Sequence, residues 1–468
     1  MQFFSTLTLS STLVFDVEDR RIFMKAKYVL RVWGLFVIFT AILFLPFFLP
    51  LIQGVEGAAF PSPFIFWGIL SYSFMAYDVV LGARLVFFEK GHGLPDVYLH
   101  HGLLGFGAII SAVIHVVYSI LRDSHTFDMS VTQLLGYFAL LLLVAIIFSG
   151  TIVLSGEFIR KSKFLMYLKE KVFNREVGLF MHRTAFLSTL FMFWHIIITR
   201  SASNVMFRNA MIFTFALTML VYAAAKVKQL FAPKFVLEKI EPLPGSCYHL
   251  LFKPQGGQTF KYRAGQYVFV KFVDSNLPRE NHPFSFDSFP ANGHSGFSIM
   301  VKEAGDYTDR IGKLKSGDVA RVEGPYGTFL YGKQDYRNIP LVLIGGGIGI
   351  TPMISILEEM LATGSKQPVI LLWALNSEKE VFYREHYDDL MKKHANFSYH
   401  ITLADEELEG YAFGFVNQSL LEKSGALSLP GNAEFYLCGP LPMMTSVEKI
   451  LQDNNIAKSS IHAEKFSF

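Results

Sequence analysis

Cysteine is almost missing from this chain. Only Cys247 and Cys438 occur, far apart in its second half, so neither a disulfide framework nor a cysteine-based metal site is implied. Charge of one sign is missing as well. Lys and Arg number 42 against 39 Asp and Glu, a formal net charge of +3. No basic run with interleaved aromatics points to nucleic acid. The opening MQFFSTLTLSSTLVF has no positively charged n-region of a secretory signal. MKAKYVLRVWGLFVIF from Met24 reads as the natural beginning, which makes residues 1–23 a loosely ordered extension or an upstream start.

Apolar residues are what the chain has in excess. They make up 51% of the 468 residues, 47 of them Phe, and they concentrate before residue 231. Charged residues, Gly and Pro become frequent afterwards. The pattern divides the chain into a cytoplasmic segment (1–30), a helical membrane domain (31–231) and two soluble domains (235–333 and 338–468).

A bilayer span takes about 20 mostly apolar residues. Six candidates are present, at 31–52, 63–88, 100–121, 131–154, 180–199 and 208–231. Basic residues cluster before the first span (Arg20, Arg21, Lys25, Lys27, Arg31) and between the fourth and fifth (Arg160, Lys161, Lys163, Lys169, Lys171, Arg175). The loop over 46–61 has no Lys or Arg. The positive-inside bias then places both termini and the soluble half in the cytoplasm of an integral inner-membrane protein.

Ionisable side chains inside such spans point to function. His101 and His115 bracket the third span, and His182 and His195 stand in a similar relation on the fifth. The 14-residue separation of the first pair corresponds to about 21 Å of rise and about 40° of azimuth, essentially one face. Two helices presenting imidazoles at two matched depths suit two bis-histidine haem sites, lined by Phe and Leu. The second pair fits less well: 13 residues turn a straight helix by about 140°. His100 is an alternative ligand to His101, and His92 and His125 read as loop residues.

After residue 235 the pattern changes. YHLLF, YVFVKF and GFSIMV are short β-rich runs separated by turn residues, which predicts a small antiparallel β-barrel. Further on, PLVLIGGGIGITPMISILEEM reads as a buried strand, a glycine turn and a helix, followed by more strands such as VILLWAL and AEFYLCGP. Glycines there let a phosphate approach the main chain, and the helix start offers free N–H groups. A nucleotide-binding α/β domain is the expectation.

Taken together, the spaced histidine pairs, GQY (Gly265–Tyr267), HPFS (His282–Ser285), GDYT (Gly305–Thr308), GPYG (Gly324–Gly327), GGGIGITP (Gly345–Pro352), CGP (Cys438–Pro440) and the ending EKFSF resemble the NADPH oxidase and ferric reductase transmembrane family. In that family a haem-bearing bundle is fused to a ferredoxin–NADP reductase-like module. The resemblance runs from about residue 30 to the end, closest to compact bacterial members. It implies that His282, Pro283, Phe284 and Ser285 hold the flavin of FAD, and that Tyr307 and Thr308 meet its pyrophosphate, with Lys302 as a possible added charge. Gly345, Gly347, Gly349, Thr351 and Pro352 would receive the phosphates of NADPH or NADH. Cys438, Gly439 and Pro440 would border the nicotinamide, and Phe466, or alternatively Phe468, would stack on the flavin. The resemblance further implies electron flow from FAD to an inner haem (His101, His182), then an outer haem (His115, His195) and an outside acceptor.

Dioxygen, giving superoxide, leads as acceptor. A metal chelate is the rival, and an electron relay to a protein or quinone partner is the alternative; no obligatory protein partner is evident. Two departures stand out. Asn376 and Ser377 occupy the place where NADPH-preferring members carry a basic residue, which makes NADH credible. Ser119 stands where many oxidases of higher organisms have a further histidine.

Overall fold

The computed structural model describes residues 5–56, 58–89, 93–122, 130–154, 162–164, 166–167, 175–256, 260–290, 296–330 and 336–464. The chain forms two compact units, a helical one over Ile22–Leu230 and a soluble one from Phe231 onward.

The helical unit comprises the part of α1 (Ser5–Ile52) from Ile22 onward, α2 (Pro63–Leu81), α3 (Leu94–Arg122), α4 (Val131–Leu154), α5 (Arg175–Arg183), α6 (Ala185–Ile197) and α7 (Val205–Leu230). Among the described residues, five helices are long and apolar enough to cross a membrane: the Tyr28–Ile52 part of α1, α2, α3, the Val131–Thr151 part of α4, and α7. The expected span over 180–199 is not among them as a single helix. The segment expected to span over 180–199 is broken at Thr184 into α5 and α6, of 9 and 13 residues. Thr184 holds the break by giving both its N–H and its hydroxyl to the Met181 carbonyl. Two more boundaries move. The second span ends at Leu81, where Gly82 and Arg84, the latter at φ 54°, turn the chain. The third begins at Leu94 rather than 100. Residues 5–23, expected to be loosely ordered, continue α1 without interruption, since neither Gly nor Pro occurs between Ser5 and Lys27.

Small residues let these helices approach closely, as in lipid, where packing and interhelical hydrogen bonds replace the hydrophobic drive. Ser71 of α2 donates to the Ala108 carbonyl of α3 at 3.0 Å, and Ser188 of α6 donates to the Ala139 carbonyl of α4 at 2.9 Å. The bundle is thus built from two pairs, α2 with α3 and α4 with α5–α6.

The first soluble domain is a six-stranded sheet of β1 (Lys234–Leu243), β2 (Cys247–Pro254), β3 (Tyr267–Asp274), β4 (His282–Ser285), β5 (Phe297–Lys302) and β6 (Val319–Tyr326), in the order β4-β3-β6-β1-β2-β5. All its pairings are antiparallel, and its two edges meet at a bridge between Phe286 and Ile299. Phe235, Phe252, Phe272, Phe286 and Phe297 fill its interior.

The second domain is a parallel sheet of β7 (Leu341–Gly346), β8 (Val369–Leu375), β9 (Phe397–Leu403), β10 (Ala412–Phe413), β11 (Glu434–Cys438) and β12 (Ile461–Glu464), in the order β10-β9-β8-β7-β11-β12. Helices α8 (Thr351–Ala362), α9 (Arg384–Lys393), α10 (Gln418–Lys423) and α11 (Leu441–Asp453) connect the strands. LVLIGG is buried at every position, because each face of a parallel sheet is covered. Leu341 and Leu343 pack into one core with Trp373 and Met353, while Val342 and Ile344 pack into the other with Phe435 and Met444. The chain order reverses between β7 and β11. Ligands bind open α/β sheets at such a switch point, beyond the carboxyl ends of the strands.

Candidate functional site

The bundle brings all four predicted histidines together in the expected pairs. His101 and His182 face each other with their Nε2 atoms 3.4 Å apart. The rings of His115 and His195 lie 6.1 Å apart, centre to centre, and nearly perpendicular. His100 is not available as the alternative ligand, because its Nδ1 accepts from the Trp33 indole at 3.1 Å. His92 and His125 lie outside the described residues. The azimuth difficulty on the fifth segment disappears, since the break at Thr184 resets the helical phase between His182 and His195.

Behind each imidazole lies a glycine. A Cβ at Gly68 would come within 2.9 Å of His115, one at Gly82 within 3.2 Å of His101, one at Gly136 within 2.9 Å of His195, and one at Gly150 within 3.3 Å of His182. The glycines of α2 and its end stand 14 residues apart, as do those of α4. With no Cβ in the way, the helix carbonyl four residues earlier is open to the ring. His115 donates through Nδ1 to the Phe64 carbonyl at 2.8 Å, and His195 to the Thr132 carbonyl at 2.7 Å. His101 differs, with Nδ1 lying 2.7 Å from the Asp78 carboxylate. Inspection of the sequence for ligands alone passed over these glycines and Asp78. The repeated spacing of 14 was the available signal.

The donor set fits haem. A metal–imidazole bond is about 2.0 Å, so an iron between two rings needs about 4 Å between nitrogens. The 3.4 Å inner gap lies close to this. Nδ1 donating to a fixed acceptor leaves Nε2 as the metal-binding atom and sets the ring's orientation. Apolar Phe64, Ile65, Ile69, Ala112, Met192 and Phe207 line the space beside His115 and His195.

In the soluble unit, HPFS forms β4 and pairs with β3, Tyr267 opposite Ser285 and Phe269 opposite Pro283. His282 is buried, bonded to Glu280 at 3.0 Å and stacked on Tyr307 at 3.7 Å. The Tyr307 hydroxyl is buried without a hydrogen-bond partner among the described residues, as expected of a group reserved for a ligand. The Thr308 hydroxyl accepts from the Ala304 N–H at 2.9 Å and donates to the Gly305 carbonyl at 3.2 Å, holding the GDYT turn. Lys302 is already paired, 2.6 Å from Glu380. Its expected place at a pyrophosphate gives way to this contact between the two soluble domains.

At the switch point the glycine turn and the CGP turn touch. A Cβ at Gly349 would fall 2.4 Å from the Cys438 carbonyl, and one at Gly439 would fall 3.0 Å from Gly346. Gly347, at φ 53°, has open space above it, while its carbonyl is held by the Trp373 indole at 3.0 Å. Gly345, Gly347, Gly349, Thr351 and Pro352 and the turn of Cys438, Gly439 and Pro440 thus come together at the carboxyl ends of β7 and β11, where α8 starts. Burial pushes the Cys438 thiol well above its ordinary pKa, and Glu464 adds to the effect. Cys438 therefore remains a neutral thiol. Phe466 and Phe468 lie outside the described residues.

The two sheets and their touching turns define a ferredoxin–NADP reductase-like FAD/NAD module, preceded by five long apolar helices among the described residues. Residues 235–329 match the FAD-binding domain family, and residues 343–449 match the oxidoreductase NAD-binding domain family. An FAD-binding and an oxidoreductase NAD-binding domain thus follow one another in the second half of the chain. Similar curated proteins include a subunit of the Na(+)-translocating NADH-quinone reductase of Marinomonas sp. (strain MWYL1), 33% identical over 215 residues, covering 44% of this chain and 51% of that protein. Its counterpart in Pseudoalteromonas atlantica is 34% identical over 261 residues, covering 46% and 63%. The chain therefore spans about half to two thirds of the length of these relatives. Among solved structures, the FAD/NAD-binding domain of nitric oxide dioxygenase from Vibrio cholerae aligns at 26% identity with a TM-score of 0.44, over 50% of this chain and 98% of that one.

Proposed function

We propose that this chain takes electrons from NADH in the soluble unit and delivers them across a membrane to an acceptor on the far side, using FAD and two haems. The two cradled imidazole pairs carry the reading. Helix packing alone gives no reason for four half-buried histidines, each set against a glycine and each aimed at a partner ring. Bound flavin would accept a hydride and release single electrons, and bound haems would relay them through the apolar bundle.

The residues divide the work. Gly347, Gly349 and the start of α8 would hold the nucleotide phosphates. The Cys438–Pro440 turn would set the nicotinamide against the flavin, and the β4 strand with Tyr307 would hold that flavin. His101 and His182 would ligate the inner haem, and His115 and His195 the outer one. NADH is favoured over NADPH because the loops after β8 and β9 are acidic. Glu378 and Glu406 meet there, the Glu378 N–H donating to the Glu406 carboxylate at 2.9 Å. Such a site suits a ribose hydroxyl and repels a 2′-phosphate.

Relatives named as subunits of an NADH-quinone reductase support delivery to a quinone or protein partner. That reading displaces the expectation of no obligatory partner. Dioxygen reduction to superoxide is the second reading. It draws on the resemblance to NADPH oxidases and on His115 and His195, which would both hold the outer haem. A reduced-minus-oxidised spectrum of the purified full chain with FAD and NADH tests the relay, and absent b-type haem bands would sink it. Cytochrome c reduction abolished by superoxide dismutase selects dioxygen, whereas dismutase-insensitive quinone reduction selects the relay to quinone.

A further inference from the structure

All four histidines are backed by main chain. His115 and His195 donate to carbonyls, His182 lies beside the Ile146 carbonyl, out of hydrogen-bond alignment, and His101 lies beside the Asp78 carbonyl. His101 alone also meets a carboxylate. Asp78 stands four residues before Gly82, where Phe64, Thr132 and Ile146 stand before Gly68, Gly136 and Gly150. At that position the chain adds a carboxylate, 2.7 Å from His101 Nδ1 though off the N–H axis, with its side chain only 17% exposed. Neither packing nor helix propensity asks for an acid there, and burying one in an apolar bundle is costly.

We propose that Asp78 is a positioning residue that holds the inner haem at a lower reduction potential than the outer one, so that electrons move outward downhill. The inference rests on the haem reading of the bundle. A carboxylate behind Nδ1 makes the imidazole a stronger donor and places negative charge near the iron. Both effects favour the ferric state, and outer partners of this kind tune metal sites generally. A carbonyl dipole behind His115 or His195 does so less.

The test is an equilibrium redox titration of the full-length protein, followed at the haem absorbance bands. The wild type should show two one-electron waves. Removing the outer haem with His195→Leu should leave the lower wave. Asp78→Asn should raise that lower wave, lowering the ferric-to-ferrous ratio about tenfold at the wild-type midpoint, a shift of about 59 mV for one electron. The upper wave should stay in place, and Asp78→Glu should restore most of the shift. Unmoved waves in an Asp78→Asn protein with both haems bound would overturn the proposal. If that variant does not fold, a lower wave that vanishes in His195→Leu would overturn it equally. A wild type with no haem would instead overturn the reading of the bundle.

Discussion

At the residue scale, the absence of a side chain organises the bundle. Gly68, Gly82, Gly136 and Gly150 make room for imidazoles and uncover the carbonyls behind them, work that any Cβ would obstruct. Gly136→Ala would put a methyl 2.9 Å from the His195 ring. The ring must then move, at an overpacking cost of about 1–3 kcal/mol. The expected outcome is loss of one of the two haems, measured as haem bound per chain. The histidines were legible in the sequence because buried titratable groups are rare. Their glycines were not, since a glycine in an apolar helix looks the same whether it faces lipid or a ligand.

At the element scale, the short break between α5 and α6 has the largest consequence. A continuous helix would hold His182 and His195 about 140° apart, whereas the turn at Thr184 presents both toward α3. Thr184→Leu, which removes the hydroxyl bond to Met181, should favour a continuous helix and turn His182 away. Difference spectra should then show the inner haem lost and the outer one kept. In the soluble unit, His249 of β2 joins Asp287 at 2.8 Å and receives Tyr383, at the start of α9, at 3.3 Å. Burial lowers the His249 pKa, but the Asp287 and Glu241 carboxylates outweigh it and raise the value above 6.5. A raised folded-state pKa means that the stabilisation is complete below about pH 6.5 and fades as pH rises through the folded value. The melting temperature of the full chain should fall accordingly as pH rises from about 6.5, and His249→Gln should flatten that slope.

At the scale of the whole molecule, the proposed function would divide electron entry from electron transit between the two units. On the proposed function, the acidic loops after β8 and β9 would select the nucleotide. NADH should be used with kcat/KM at least about tenfold above NADPH, like-charge contacts being costly. Glu406→Arg should narrow that gap, as steady-state kinetics with both nucleotides would show. The two-domain reductase module was readable from HPFS, GDYT, GGGIGITP and CGP in their order, and the matching families bear it out over residues 235–329 and 343–449. The break at Thr184 was not readable. Hydropathy averages over a window and passes straight across a one-residue break such as Thr184.

Composition, periodicity and motif order were enough to divide the chain into an apolar helical half and a nucleotide-binding half, because burial in lipid and in a parallel sheet each impose a local pattern on residues. They also marked the four histidines. Which ring faces which, that His100 turns to Trp33 while His101 turns to His182 and Asp78, and that Lys302 is taken by Glu380 were settled only in three dimensions. Those outcomes depend on helix phase and on contacts between segments distant in sequence, and no local pattern of residues encodes either.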